Sequence, residues 1–118
     1  MNIIFGDAAT EIAKHYTVLE LDTVEIASSQ QIKTFCVVDK IPLTEFAQLE
    51  SYKKIHHDMI QQYRNQNWEF CRRAIDSLLG KFNGELDSFY QEILSRVNTY
   101  QTNPPGNNWN WAIKQKSK

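Results

Sequence analysis

Trp68-Glu69-Phe70-Cys71-Arg72-Arg73-Ala74-Ile75-Asp76-Ser77-Leu78-Leu79-Gly80 reads as one amphipathic helix with a defined stop. Trp68, Cys71, Ala74, Ile75, Leu78 and Leu79 recur at three- and four-residue steps, which gathers them on one helical face. Gly80 suits the left-handed conformation that closes a helix, because it has no Cβ to clash there. Upstream, Asn65-Gln66-Asn67 interrupts the period. Before that break, Phe46, Leu49, Tyr52, Ile55 or His56, Met59, Ile60 and Tyr63 give a longer apolar stripe, with Thr44 as the expected N-cap just after Pro42. Downstream, Asn83-Gly84 marks a turn. Asp87 is the expected cap of a third helix bearing Phe89, Tyr90, Ile93, Leu94, Val97 and Tyr100. Pro104-Pro105 ends it, since neither residue has an amide to donate.

The period changes on the other side of Pro42. Tyr16 to Ile26 and Gln31 to Ile41 are rich in β-branched and aromatic residues and are separated by the polar Ala27-Ser28-Ser29-Gln30, a hairpin pattern. Leu19 and Leu21 share one face while Val18 falls on the other, so a bulge or burial on both faces is expected. Asp7 to Lys14 is read as a short helix before the hairpin, and Phe5-Gly6-Asp7 as a tight turn.

These readings define an α+β protein, an N-terminal antiparallel β-hairpin packed on a C-terminal bundle of about three α-helices. A length of 118 residues bounds it to a single domain. Within it, 1–42 is the hairpin region, 43–103 the helical region and 104–118 a Pro/Trp/Lys tail. Low Gly and Pro content argues against disorder. A formal net charge of −1 sets up no field for nucleic acid or anionic lipid. Lys114, Lys116 and Lys118 read as a solvated terminus. Cys36 and Cys71 lie far apart in sequence, and free buried thiols in a reducing compartment are expected. No apolar run approaches the roughly 20 residues that span a bilayer, and Met1 to Gly6 is too short and uncharged to read as a signal peptide. A cytoplasmic protein is the expectation.

The order of these pieces carries a resemblance. Tyr63, Trp68, Cys71 and Ile75 are spaced like the signature positions of a tetratricopeptide-type helix pair. The tail Asn103-Pro104-Pro105-Gly106-Asn107-Asn108-Trp109-Asn110-Trp111 is similar to the Pro-Pro-x-Asp-Trp-Asp-Gly ending of many class III adenylate/guanylate cyclases. Asn108 and Asn110 replace its aspartates, and Trp111 its glycine. Leu19-Glu20-Leu21-Asp22-Thr23-Val24 resembles the Glu-Leu-Asp-x-Val strand near the end of the cyclase catalytic domain, and Ile32 to Val38 fits the returning strand. The resemblance implies the end of such an enzyme without its chemistry. Cyclases need two carboxylates for metal ions and donors for the transition state, and in the family these lie upstream of the matching segment. The Val-Lys-Gly-Lys turn that contacts phosphate there is Val24-Glu25-Ile26-Ala27-Ser28-Ser29 here. No catalytic residue, metal ligand or cofactor is therefore expected.

The remaining polar residues have plainer readings. Adjacent His56 and His57 diverge by about 100° on a helix and do not face one metal, so a half-buried His56 and an exposed His57 are expected. Glu85, Asp87 and Glu92 read as capping or solvated acids. Arg64, Arg72, Arg73 and Arg96 lie near Glu69, Asp76 and Glu92 and read as helical salt pairs, so nucleic acid is not expected as a partner. Trp109 is read as folding back to plug the open end of the helical unit, and otherwise as a partner anchor.

One tetratricopeptide-like pair cannot bury both its faces. The expected function is thus non-catalytic, an interaction or regulatory module that binds a protein partner or a second copy of itself through a helical face or sheet edge. Its candidate contact residues are Tyr63, Trp68, Arg72, Trp109 and Trp111. The alternative is a small-ligand or nucleotide-binding regulator that stacks its ligand on the Tyr63/Trp68/Arg72 face.

Overall fold

The computed structural model describes residues 1–26 and 30–114. The hairpin forms as β2 (Thr17–Ile26) and β3 (Gln30–Val38), paired antiparallel with Leu19 opposite Cys36. Its turn at 27–29 and the lysines at 116 and 118 lie outside the described residues. Two strands extend the hairpin. β1 (Asn2–Phe5) pairs antiparallel with β3, and β4 (Ile113–Lys114) pairs parallel with β2, giving the order β1-β3-β2-β4. Between β1 and β2, α1 (Ala8–Ile12) occupies the expected short helix, entered through Gly6 at φ +56.

A β-bulge interrupts β2. Glu20 pairs with Phe35 and Thr23 with Lys33, so Leu21 and Asp22 together oppose Thr34 alone. The Thr34 hydroxyl donates to the Asp22 carbonyl at 2.8 Å, satisfying a backbone group that the bulge removes from the ladder. Leu19, Leu21, Thr23, Thr34, Cys36 and Val38 are buried.

The helical layer contains α2 (Leu49–Arg64), α3 (Trp68–Leu78) and α4 (Asp87–Thr102). Together with α1, the elements make a mixed α+β fold in which helices pack on a sheet whose three main strands are antiparallel. The expected caps shift. Thr44 falls inside a 3-10 turn, Leu43–Gln48, and makes no capping bond; α2 starts five residues later. This leaves Phe46 exposed rather than on the buried stripe. Asp87 is the first residue of α4 rather than its cap, and its carboxylate accepts from the Gly80 amide at 2.8 Å. Gly80 does take the left-handed conformation, at φ +83, and Leu79 turns outward at this exit.

The three-residue break between α2 and α3 is a tight connection. Asn67 N donates to Gln62 O at 2.9 Å and Gln66 N to Tyr63 O at 3.1 Å, the paired bonds of a Schellman motif, with Gln66 at φ 61 where glycine is usual. The Asn67 side chain then accepts from Phe70 N at 3.4 Å, so one residue closes α2 and caps α3. As a result α3 folds back along α2, with the Cys71 Sγ 3.7 Å from the Met59 carbonyl.

One core runs through both layers. Met59, Ile60, Cys71, Ala74, Ile75, Leu78, Phe82, Leu86, Phe89, Tyr90, Ile93 and Val97 join Leu19, Leu21, Cys36 and Val38. Burial on this scale stabilises by about 25 cal/mol per Å² of apolar surface removed from water.

Candidate functional site

The five candidate contact residues come together at one end of the helical layer. Tyr63 lies in the last turn of α2 and Trp68 opens α3, so the Schellman turn sets their rings 5.9 Å apart, edge to face. Tyr100 from the last turn of α4 lies 5.3 Å from Trp68. After Pro104-Pro105 the tail reverses, and the Gln66 side chain holds it by donating to Gly106 O at 2.7 Å. Trp109 then inserts among the three, with ring centroids 5.1 Å from Tyr63, 5.6 Å from Trp68 and 5.4 Å from Tyr100. The indole folds back as its plug reading expected.

The other two candidates also bond within the chain. The Arg72 guanidinium bonds Asn98 and Gln101 of α4, tying α3 to α4 rather than pairing with an acid. Trp111 lies under Arg64, with the guanidinium carbon 5.4 Å from its ring centroid. Trp68, Trp109 and Trp111 remain partly exposed, and Tyr63 is buried.

Beneath this end lie two ion pairs that link sheet to helices. Arg96 of α4 grips Asp22 with two bonds, at 2.6 and 3.1 Å, and Arg64 of α2 bonds Glu20. The bulge brings Asp22 to this position. Burial works against the Arg96 charge, but the hydrogen bonds and charge of Asp22 outweigh it and raise the pKa above its ordinary value. Helical pairs form as expected at Arg73–Glu69 and Arg96–Glu92, whereas the pairs across the layers depend on a register that periodicity does not encode. Burial also pushes the Tyr63 phenol well above its ordinary pKa.

His56 departs from expectation. It is 1 % exposed, not half-buried, and both ring nitrogens are engaged. Nε2 lies 2.6 Å from the Glu20 carbonyl oxygen, which can only accept, so Nε2 carries the proton. Nδ1 then accepts from the Tyr90 hydroxyl at 2.8 Å. Burial lowers the imidazole pKa to about 4; the Glu20 bond opposes the shift and His57 adds to it. His57 itself is exposed. Cys36 and Cys71 are free and fully buried. Burial raises the thiols to about 11 and about 12, respectively, with the Glu85 charge adding to the first. Among the described residues no group of three or more His, Cys, Asp or Glu side chains is placed to hold a metal, and no helix is long and apolar enough to cross a membrane.

Two surfaces that the sequence reading missed border the sheet. Ile3 and Phe5 of β1 are 48 % and 58 % exposed, although their partners Cys36 and Thr34 are buried. They border an apolar trough of about 350 Å³ with Leu21, Val24 and Phe89. Among the described residues β1 has a neighbour on one side only. A larger groove of about 900 Å³ runs from α1 to α2 past Val18, Ile32 and Phe35. The unbroken run Asn2-Ile3-Ile4-Phe5 was the available signal for the first surface; nothing in the sequence pattern marked the second.

Fold and surfaces together define an α+β domain whose helical end is sealed by its own tail and whose β1 side is left uncovered. No protein-family model, curated protein or solved structure matches the chain.

Proposed function

We propose that the chain is a non-catalytic interaction module that joins a second copy of itself through the β1 edge. The observation that carries this is the exposure of Ile3 and Phe5 on a strand that, among the described residues, has no strand beside its outer backbone groups. Such an edge is a template for another strand. Natural edges are blunted by lysine, proline or a bulge, and Asn2-Ile3-Ile4-Phe5 contains none of these. Antiparallel pairing about a two-fold axis through Ile4 sets Ile3 of each copy opposite Phe5 of the other, on the same face. That register merges the two apolar troughs and brings no like charges together.

The chemistry of the buried polar groups supports the non-catalytic part. Both thiols are held far from their thiolate form, and both His56 nitrogens are bonded within the fold. The stacking alternative on Tyr63, Trp68 and Arg72 is not favoured, because Trp109 and α4 already take up those side chains.

The resemblance to cyclase C-terminal segments belongs to the same proposal. The resembling hairpin is β2–β3, the tetratricopeptide-like pair is α2–α3, and the resembling tail is the plug. At the position where the cyclase pattern has glycine, Trp111 holds φ 54, a conformation that glycine adopts at no cost. A regulator that imitates a cyclase's end is the form this reading takes.

Molar mass by light scattering over a wide concentration range tests the proposal. The expected result is a dimer for the wild-type chain and a monomer for Ile3→Lys and Phe5→Lys, both folded by circular dichroism. A wild-type chain that stays monomeric throughout overturns self-pairing and redirects the search to a different protein strand.

A further inference from the structure

Of the two exposed apolar residues of β1, Phe5 also lines the groove between α1 and α2, and Ile3 does not. The groove's volume of about 900 Å³ falls in the range of small-molecule sites, roughly 300–1,000 Å³. Its apolar lining comes from Phe5 of β1, Ala9 of α1 and Ala13 just after it, Val18 and Leu19 of β2, and Ile32 and Phe35 of β3. The alanines matter because their short side chains leave the wall on the α1 side open.

The charges along the groove are unequally distributed. Near α1, Asp7 and Lys33 both line it, and Gly6 N bonds Lys33 O at 2.8 Å, so opposite charges stand at the same end. In the middle, Glu20 is neutralised by Arg64. At the α2 end stand Lys53 and His57, four residues apart and therefore neighbours on one face of the helix. Lys53 has only Glu50, at 3.4 Å in an exposed pair, and such pairs hold a lysine weakly. His57 makes no hydrogen bond among the described residues, and His56 offers the groove no free nitrogen. The groove thus combines an apolar stretch at Val18, Ile32 and Phe35 with Lys53 and His57 at its α2 end.

We infer that this groove binds a small amphipathic anion, an aryl or acyl carboxylate or sulfonate, with its apolar body along Val18, Phe35 and the α1 alanines and its head at Lys53 and His57. The apolar body contributes the bulk of the affinity by burial, and the head group fixes the direction of binding.

Fluorescence titration of the full chain with 8-anilinonaphthalene-1-sulfonate tests this, with the uncharged N-phenyl-1-naphthylamine as control. Saturable binding at one site per chain is expected, and the neutral probe should bind about ten-fold more weakly. Lys53→Glu should weaken the anion about ten-fold and leave the neutral probe within about two-fold. Ala13→Phe, which fills the groove from an exposed helix end, should remove binding of both. Ile3→Lys should change neither. An unsaturable signal, or one lost in Ile3→Lys and kept in Ala13→Phe, overturns the site. Equal binding of the two probes, or indifference of the anion to Lys53→Glu, overturns the head-group assignment. Because Ile3 does not line the groove, the Ile3→Lys arm separates this site from the β1 edge.

Discussion

The two ends of this molecule handle apolar surface in opposite ways. At the helical end, Tyr63, Trp68 and Tyr100 leave an aromatic gap that the chain closes with its own Trp109. At the sheet end, Ile3 and Phe5 stand at the margin of the core, and no described part of the chain covers them. The difference follows from connectivity. Pro104-Pro105 ends α4 beside the gap, so a short reversal delivers an indole there. β1 instead leads through Gly6 and α1 directly into β2, and none of these described residues turns back over its outer side. A large aromatic in a polar context is therefore not by itself a contact residue. The informative quantity is what its own chain has already placed against it.

Truncating one aromatic at each end gives the largest contrast. Trp109→Ala should cost about 3 kcal/mol, because it opens a cavity against three rings. Phe5→Ala should cost less than about 1 kcal/mol within the single chain, since that ring is more than half exposed. Urea unfolding of both variants at low protein concentration checks this. Equal losses would mean that the tail does not seal the helical end, and the asymmetry drawn here would fail.

The next effect separates the buried middle of the molecule from both ends. The His56 pKa is about 4 in the folded protein and about 6.5 when unfolded. Between these values the unfolded chain binds the proton and the folded one does not, so stability falls as pH drops from about 6.5 to 4 and levels off below. The full span amounts to roughly 3 kcal/mol from this one group. Comparing the wild-type chain with His56→Gln across that range isolates it. The glutamine variant starts less stable but should lose less on acidification. Parallel pH profiles would show that another group carries the acid sensitivity.

How much of this was legible in the sequence varies with the range of the interaction. The three long helices were, because each shows its apolar residues at helical spacing over several turns. So was the hairpin; the placing of Val18 against Leu19 and Leu21 left a bulge or burial on both faces open, and the structure has the bulge at Leu21 and Asp22. β1 and β4 were not, since four and two residues offer no period, and they become strands only by lying against β3 and β2. The caps shifted for a similar reason: Pro42 starts a 3-10 turn, which takes up the residues that a direct helix start would have used. Of the candidate contacts, the plug by Trp109 was readable from an unshielded indole after two prolines. That Arg72 would bond α4 and Arg64 would cover Trp111 depends on helix packing and on the tail's path. Asp22 and Glu20 meet their arginines only because of the sheet register. His56 was misjudged because an imidazole on an apolar stripe looks the same in sequence whether it is half wet or fully bonded.

The smallest effect probes how the tail is held. Trp111 combines a favourable contact with Arg64 and an unfavourable left-handed backbone at φ 54. An exposed cation–π contact contributes about 0.5–1 kcal/mol, and a left-handed residue with a Cβ costs about 1–2 kcal/mol. Trp111→Ala removes the contact and keeps the strain, so it should destabilise by about the value of the contact. Trp111→Gly removes both, and should be more stable than the alanine variant by about 1 kcal/mol despite the greater flexibility of glycine in the unfolded chain. The ordering matters more than either value. If alanine proves equal to or better than glycine, the tail does not hold residue 111 in a left-handed conformation, and the hold on Trp109 rests on the Gln66 bond to Gly106 and on ring packing alone.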